Sequence, residues 1–368
     1  MAIDHVRVYA AVPAGGPTPD IFLTRWITHF CAPAFAFLAG ASIFLHAEKL
    51  KDSGSLSRWL LLRGAYLVVL ELTFLRLAWT FNFDYARYML AGVIWMLGWC
   101  MILMALLVRL PIAFNAVFGL VIIAGHNLAA GALRGSEEAI FHSGLAWLWQ
   151  ILYFGGAFAI GGGQPNFFIL YSLIPWCGVM AAGYSFGVVL RMVPGRRDRA
   201  CFAIGGCAIV AFLLLRYFNI YGDRPWQGGQ RAPSWIAFLN TTKYPASLLF
   251  LLMTLGPTIA VLPWLERARN RLADWLTVFG RVPMFYYLIH IPLIHLMAIA
   301  ISLLRSPSAT GSLFGNFPLR AGPFPNGYTW SLGLLYLVAF LAVAILYFAC
   351  RWFLRSKTQR KAGWLQML

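Results

Sequence analysis

Long apolar stretches are the feature that most constrains what this chain can fold into. Nine of them have the length, about 20 residues, that a helix needs to cross a bilayer. Only 11% of the residues are charged, against roughly 25% in a typical soluble domain. The pattern predicts an all-α fold, a polytopic bundle of transmembrane helices. The nine stretches are 24–46, 58–80, 87–108, 112–131, 167–190, 200–217, 245–264, 276–303 and 329–352.

Lys and Arg concentrate in the short segments between alternate stretches and after Arg351. Cytoplasmic loops are enriched in basic residues, so this distribution predicts ten crossings with both termini inside. The tenth helix would be residues 1–12, which are too few to cross alone, so the first helix is expected to be incomplete. The net charge of +17 is thus a topology signal, and no nucleic-acid partner is expected. We assign 1–355 to one transmembrane domain and 356–368 to a basic cytoplasmic tail.

The segments predicted to lie outside are long and rich in Gly, Pro and aromatic residues. They cover 132–166, 218–244 and 304–328. The first contains an aromatic piece at 146–158 that glycines follow, and we expect it at the outer interface or as a re-entrant segment. Long ordered loops beside short inner ones are typical of a functional outer face.

Arg25 and His29 begin the first long stretch and are four residues apart, so a helix places both on one face. Ala32, Ala36 and Gly40 continue that face with small residues, which permit close approach of a second helix. Ionisable groups are costly in a membrane and are often functional there. A snorkelling arginine and a hydrogen-bonded core histidine are the structural alternative.

The predicted topology brings further polar residues to the same outer side, where we expect one cavity. Adjacent residues point about 100° apart on a helix, so Asp4 and His5 are expected to pair across helices rather than with each other. A neutral histidine can take a proton from an attacking amine or hydroxyl, and a carboxylate can orient the imidazole. The candidate catalytic residues are His5, His29 and Asp4, and the candidate binding residues are Arg7, Arg25, Asn240, Thr241, Lys243, Tyr244, Arg281 and His290. The residues expected to converge on the cavity are Asp4, His5, Arg25, His29, Lys243 and His290.

Two ionisable residues, Glu71 and Arg281, lie inside predicted stretches. Glu71 lies mid-span with Arg63 and Arg76 nearby, and we expect a buried ion pair with an arginine of its own or a neighbouring helix. Arg281 lies near the inner side, where either an anionic ligand or lipid phosphate could meet it. No HExxH or CxxC is present, and the i,i+5 spacing of His290 and His295 suits a metal poorly, so no metal is expected.

Three blocks of the sequence, at 22–40, 239–257 and 278–295, carry a family resemblance. They read FLTRWITHFCAPAFAFLAG, LNTTKYPASLLFLLMTLGP and VFGRVPMFYYLIHIPLIH. The chain resembles bacterial membrane proteins grouped with the catalytic domain of lysosomal heparan-α-glucosaminide N-acetyltransferase, within a wider set of transmembrane acyltransferases. The resemblance implies acyl-CoA, such as acetyl-CoA, bound from the cytoplasm, and a glycan acceptor on the far side. A location in the bacterial inner membrane is expected, with the lipid bilayer as a partner and a homodimer as an option.

The chain departs from the family where the family has its catalytic histidine. Aligning the family proline on Pro33 leaves no histidine at that place, where Pro19 and Asp20 are nearby, and an acidic family residue falls on His29. His5 and His29 are therefore the candidate bases, with His5 preferred. Arg25 or Lys243 would stabilise the oxyanion or hold an anionic acceptor.

Two other functions use the same residues. A transporter would employ the buried charges as a substrate or proton path, although no inverted repeat is visible. A structural or assembly protein of the membrane is the third reading. Acyl-CoA hydrolysis or acyl transfer would separate the first reading from the other two.

Overall fold

The computed structural model describes residues 1–13, 18–50, 52–133, 136–228 and 233–359. These residues are mostly helical, with short π-helical segments at Glu71–Leu75 and Gln150–Phe154 and a 3-10 helix at Pro307–Phe314. The α-helices are α1 Ala2–Tyr9, α2 Pro19–His29, α3 Cys31–Ala47, α4 Ser53–Leu70, α5 Arg76–Thr80, α6 Val93–Leu107, α7 Ile112–Leu133, α8 Glu137–Phe141, α9 Ala146–Trp149, α10 Leu173–Leu190, α11 Pro194–Tyr217, α12 Ser234–Leu239, α13 Leu248–Arg267, α14 Arg271–Arg281, α15 Pro283–Arg305 and α16 Leu332–Gln359.

Within the described ranges, six helical segments are long and apolar enough to cross a membrane, which supports a helical membrane protein. The shorter apolar helices Val93–Leu107 and Ile112–Leu128 fall below that length. Ten crossings, as the charge pattern predicts, would need these two shorter helices and also α1 and α4. The six segments are Pro19–Ala47, Leu173–Leu190, Pro194–Tyr217, Leu248–Arg267, Pro283–Arg305 and Leu332–Lys357.

Prolines interrupt the helical hydrogen bonding of two of the predicted stretches, within the continuous segment Pro19–Ala47 and at a break before Pro283. Pro33 has no N–H to donate to the carbonyl of His29, and α2 ends at His29 with Phe30 between it and α3. Val282 precedes Pro283 and leaves the helical region, with φ −135° and ψ 51°, so α14 ends there and α15 begins. Both interruptions lie beside residues of the candidate site.

A small sheet is the exception to the all-α prediction. The strands are β1 Met89–Ala91, β2 Gly156–Phe158 and β3 Phe167–Ile169, and β3 lies between parallel β1 and antiparallel β2. The predicted helical stretches 87–108 and 167–190 therefore begin too early, because each starts with a strand. Pairing satisfies backbone groups that an extended segment cannot satisfy internally. The aromatic piece at 146–158 ends as β2 and is not a span.

Close helix pairs hold the bundle together. α3 packs along α10, where a Cβ on Gly40 would strike the carbonyl of Met180 and one on Gly183 would strike the carbonyl of Phe37. This confirms close approach along the small-residue face of α3. α11 packs on α13, α4 on α6, and α1 on both α15 and α16. The contact between α1 and α15 places the start of the chain against α15.

Candidate functional site

Two ionisable side chains of α1 bind each other. Nε of Arg7 donates to Oδ1 of Asp4 at 2.9 Å, and Nη1 of Arg7 donates to the carbonyl of Val12 at 2.9 Å. The prediction that Asp4 pairs across helices is wrong, because the i,i+3 spacing puts Arg7 within reach on the same helix. Asp4 is therefore held by Arg7, and no hydrogen bond joins it to an imidazole in the described part of the chain.

His5 makes the predicted contact across helices. Its Nδ1 lies 2.7 Å from Nε2 of His290 on α15. Nδ1 of His290 lies 2.6 Å from the carbonyl oxygen of Tyr287 and 3.2 Å from that of Tyr286. The indole of Trp79 meets the His5 ring edge-on, with 4.7 Å between centroids. Both imidazoles are thus fixed in place.

Arg25 and His29 share one face of α2, as predicted. Nε of Arg25 donates to Nε2 of His29 at 3.3 Å, and Nη2 reaches Oδ1 of Asn240 at 3.4 Å. His29 is 1% exposed, and its Nδ1 is a buried atom with no hydrogen-bond partner among the described residues. The accepting lone pair of this imidazole is directed at Arg25.

A single carboxylate holds the segment that precedes α13. Asp223 accepts hydrogen bonds from the backbone N–H of Thr242 at 2.9 Å, from Oγ1 of Thr242 at 2.6 Å and from Oγ of Ser247 at 2.9 Å. Because the carboxylate binds Thr242 twice, it fixes the position of the neighbouring Lys243.

A buried arginine binds the backbone of Arg224 and of the neighbouring segment 237–240. Arg216, at the end of α11, is 3% exposed, and its side chain donates to backbone carbonyl groups. Its four acceptors, at 2.9 to 3.1 Å, are the carbonyl oxygens of Phe238, Arg224, Ala237 and Asn240.

Lys243 places a cation among aromatic rings. Its Nζ lies 5.1 Å from the centroid of the Tyr244 ring and 5.9 Å from that of Tyr171. Burial lowers the pKa of Lys243, but Tyr244 and the Asp4 carboxylate outweigh that effect, and the net pKa is raised. The ammonium is therefore charged at neutral pH.

Three adjoining cavities meet at these residues. The first, of about 600 Å³, is the more polar of the two larger ones; the second, of about 480 Å³, is more apolar; the third is a narrow space of about 40 Å³. Asp4 borders all three, His5 borders the second and third, and Lys243 borders the first and third. The predicted residues that line the first cavity are Asp4, Arg7, Arg25, His29, Asn240, Thr241, Lys243 and Tyr244.

The structure does not group every predicted residue. His290 lines none of the three cavities and contacts His5, which borders two of them. Arg281, which is expected near the inner side and not in this cavity, is exposed at the end of α14 and lines none of the three cavities. Within the described ranges, no three His, Cys, Asp or Glu side chains converge in a way that could hold a metal ion.

Glu71 has a partner other than the predicted arginine. Its Oε2 accepts from the backbone N–H of Ile94 at 2.9 Å and of Trp95 at 3.2 Å, in the first turn of α6. Arg76 is instead bound to carbonyl groups and Thr80. The prediction of an ion pair is wrong because a helix N-terminus offers free donors and a favourable dipole to an anion. Glu71 also lines the second cavity.

Several residues of the site are absent from the predicted set, among them Asp223, Tyr171 and Tyr287. Asp223 is the only acidic residue of 218–244 and follows Gly222, so it could have been chosen from the sequence. Tyr171 and Tyr287 line the second and third cavities but lie inside apolar stretches, where nothing distinguishes them from core residues.

One protein-family model, described as "Heparan-alpha-glucosaminide N-acetyltransferase, catalytic", matches residues 3–215. The match covers more than half of the 368 residues and includes Asp4, His5, Arg25 and His29. No curated protein and no solved structure matches the chain. On the extent of the family match, the chain belongs to the heparan-α-glucosaminide N-acetyltransferase catalytic-domain family.

Proposed function

We propose that the protein is an integral-membrane acyltransferase that moves an acetyl or other short acyl group from acyl-CoA to an amino or hydroxyl group of a sugar. Family membership supports a membrane acetyltransferase. The observation that carries the proposal is the position of His5, which borders cavities adjoining a polar, cation-rich one. The polar cavity suits a hydroxylated acceptor, and the more apolar cavity suits the pantetheine arm and the acyl group.

Of the two candidate bases, His5 has the better geometry. Nε2 of His29 accepts from Arg25, so its lone pair is engaged and the ring proton is left on Nδ1. Nε2 of His5 makes no hydrogen bond with the described residues and is not among the fully buried polar atoms. A general base needs a free lone pair within reach of the proton that it removes. We therefore assign proton removal to His5.

The proposed step balances within the site. Nε2 of His5 takes a proton from the acceptor N–H or O–H while the acceptor atom bonds to the thioester carbonyl carbon. The ammonium of Lys243 stabilises the negative charge that develops on the carbonyl oxygen. The carbon–sulfur bond then breaks, and the departing CoA thiolate takes the proton from the His5 imidazolium. His5 returns to its neutral form.

The sidedness of the reaction belongs to the same proposal. The chain crosses the bacterial inner membrane ten times, both termini are cytoplasmic, acyl-CoA enters from inside, and the acceptor is met outside. The charge pattern puts several loops on the inner side, and three ion pairs support their common location, because each pair joins two of these loops. The pairs are Arg191 with Glu48, Arg197 with Glu266 and Arg267 with Asp198.

Acetyl transfer by detergent-purified protein, from radiolabelled acetyl-CoA to a panel of amino sugars and neutral sugars, tests the proposal. Loss of a general base removes roughly 10²–10⁴ in rate. His5→Gln should lose turnover by that factor and retain acetyl-CoA binding. His29→Gln is the matched control and should lose less than roughly tenfold, because its lone pair faces Arg25. Transfer by His5→Gln at the wild-type rate would overturn the assignment.

A transporter remains the alternative that the cation-lined first cavity also suits. Such a protein would carry a sugar across proteoliposomes without acyl-CoA. Sugar uptake without CoA release, together with no transfer or hydrolysis by purified protein, would favour the transporter over the enzyme.

A further inference from the structure

We propose that His290 is a positioning residue, which fixes the proton of His5 on Nδ1 and leaves Nε2 free to act as the base. The inference rests on the proposed function, in which His5 removes the proton from the acceptor. It gives a role to a second histidine, which lies outside the residues 3–215 that the family model matches. Three contacts support it: those of the His290 ring with the carbonyl groups of Tyr286 and Tyr287, and that of His290 with His5.

The hydrogen bonds of His290 determine which of its nitrogens carries a proton. Its Nδ1 lies 2.6 Å from the carbonyl oxygen of Tyr287 and 3.2 Å from that of Tyr286. Carbonyl oxygens only accept, so Nδ1 must be the N–H donor. The ring is 0% exposed, and no carboxylate bonds to it in the described chain, so a second proton would be an uncompensated buried charge. Nε2 of His290 therefore presents a lone pair.

That lone pair determines the tautomer of His5. Nδ1 of His5 lies 2.7 Å from Nε2 of His290, and two facing lone pairs at this distance would repel each other. Nδ1 of His5 must therefore carry the proton and donate it. The ring centroids are 4.8 Å apart with 27° between the planes, so the rings meet nearly edge to edge along this hydrogen bond. Neutral His5 consequently has an unprotonated Nε2.

The arrangement serves both halves of the proposed reaction. Before proton transfer, the His290 contact keeps the lone pair of His5 on the nitrogen that makes no hydrogen bond with the described residues. After transfer, Nδ1–H of the His5 imidazolium still donates to His290, and this charge-assisted hydrogen bond stabilises the cation. Without the acceptor on His290, free imidazole chemistry favours the proton on Nε2, and a protonated Nε2 cannot act as the base.

Nitrogen NMR tests the tautomer without any need for activity. The protein, labelled with ¹⁵N in its seven histidine rings and reconstituted in lipid, is compared with His5→Gln to isolate the His5 signals. We expect a protonated Nδ1 and an unprotonated Nε2 for His5 in the wild-type protein. A protonated Nε2 at neutral pH overturns the proposal, even if the protein transfers acyl groups. If no transfer is found, the proposed function fails and this measurement still decides the tautomer.

Kinetics of three variants test the consequence. His290→Leu removes the acceptor and should lower kcat by roughly 10²-fold or more with the KM for acyl-CoA unchanged. His290→Gln offers an oxygen to His5 and an N–H₂ to Tyr287, and should recover most of that loss. His295→Gln is the matched control on α15, because His295 contacts the carbonyls of Ala78 and Leu313 and not His5. Equal kcat in the Leu and Gln variants, or wild-type kcat in His290→Leu, overturns the proposal.

Discussion

The contact between Glu71 and the start of α6 allows a double-mutant test of how this buried carboxylate is used. Glu71→Ala leaves the buried N–H groups of Ile94 and Trp95 without their acceptor. Each unsatisfied donor costs about 1–3 kcal/mol, so the free energy of unfolding should fall by about 2–6 kcal/mol. Gly92 has φ −91°, which any residue adopts, but a Cβ there would lie 2.6 Å from Oε1 of Glu71. Gly92→Ala should therefore cost about 1–3 kcal/mol through this overlap alone.

The two changes should not be additive. Once Glu71 is alanine, the space beside Gly92 is open, and Gly92→Ala should add little further cost. The expected coupling is about 1–3 kcal/mol, measured by tryptophan fluorescence during unfolding in mixed dodecylmaltoside and SDS micelles. A Gly92→Ala penalty of the same size in both backgrounds would refute the contact.

Glu71→Gln separates stability from chemistry in the same experiment. It keeps the volume of the side chain and an oxygen that can accept from the N–H groups of Ile94 and Trp95, so it should cost less than Glu71→Ala, about 0.3–2 kcal/mol. We expect the loss of stability to accompany any loss of acyl transfer. Wild-type unfolding with abolished transfer would instead place Glu71, which lines the second cavity, in the reaction.

Three further predictions concern the site and the topology. Lys243→Met should lower kcat by roughly 10²–10³-fold without loss of acyl-CoA binding. Because the pKa of Lys243 is raised, the wild-type side chain stays charged at mildly alkaline pH, and steady-state rates should show the same defect there as at neutral pH. Asp223→Ala should raise the KM for the acceptor more than Asp223→Asn does, since the amide oxygen can still accept one of the bonds from Thr242; equal KM values would contradict this role. In a cysteine-free background, Gln227→Cys should react with an impermeant maleimide added outside and Gln359→Cys should not; equal labelling of both from outside would refute the orientation.

The sequence alone predicted the class of the protein and the local relations within single helices. Hydropathy over about 20-residue windows identified a helical membrane protein, because only helices satisfy their own backbone inside a bilayer. The i,i+4 spacing predicted that Arg25 and His29 share a face, and the structure confirms their contact. The small residues continuing that face predicted close packing, which Gly40 makes against α10. Helical periodicity and residue size are sufficient for such statements.

Partner choice between helices depended on the tertiary structure. His5 and His290 are 285 residues apart, and nothing in the chain between them indicates that α1 packs on α15. Glu71 was expected to bind an arginine, but the fold brings the free N–H groups of α6 to it instead. A carboxylate is satisfied equally by a cation or by a helix N-terminus, and its own sequence neighbourhood does not distinguish them. Which donor reaches a buried group is decided by how the helices pack, because hydrogen bonds act over about 3 Å while sequence patterns specify only which face a residue occupies.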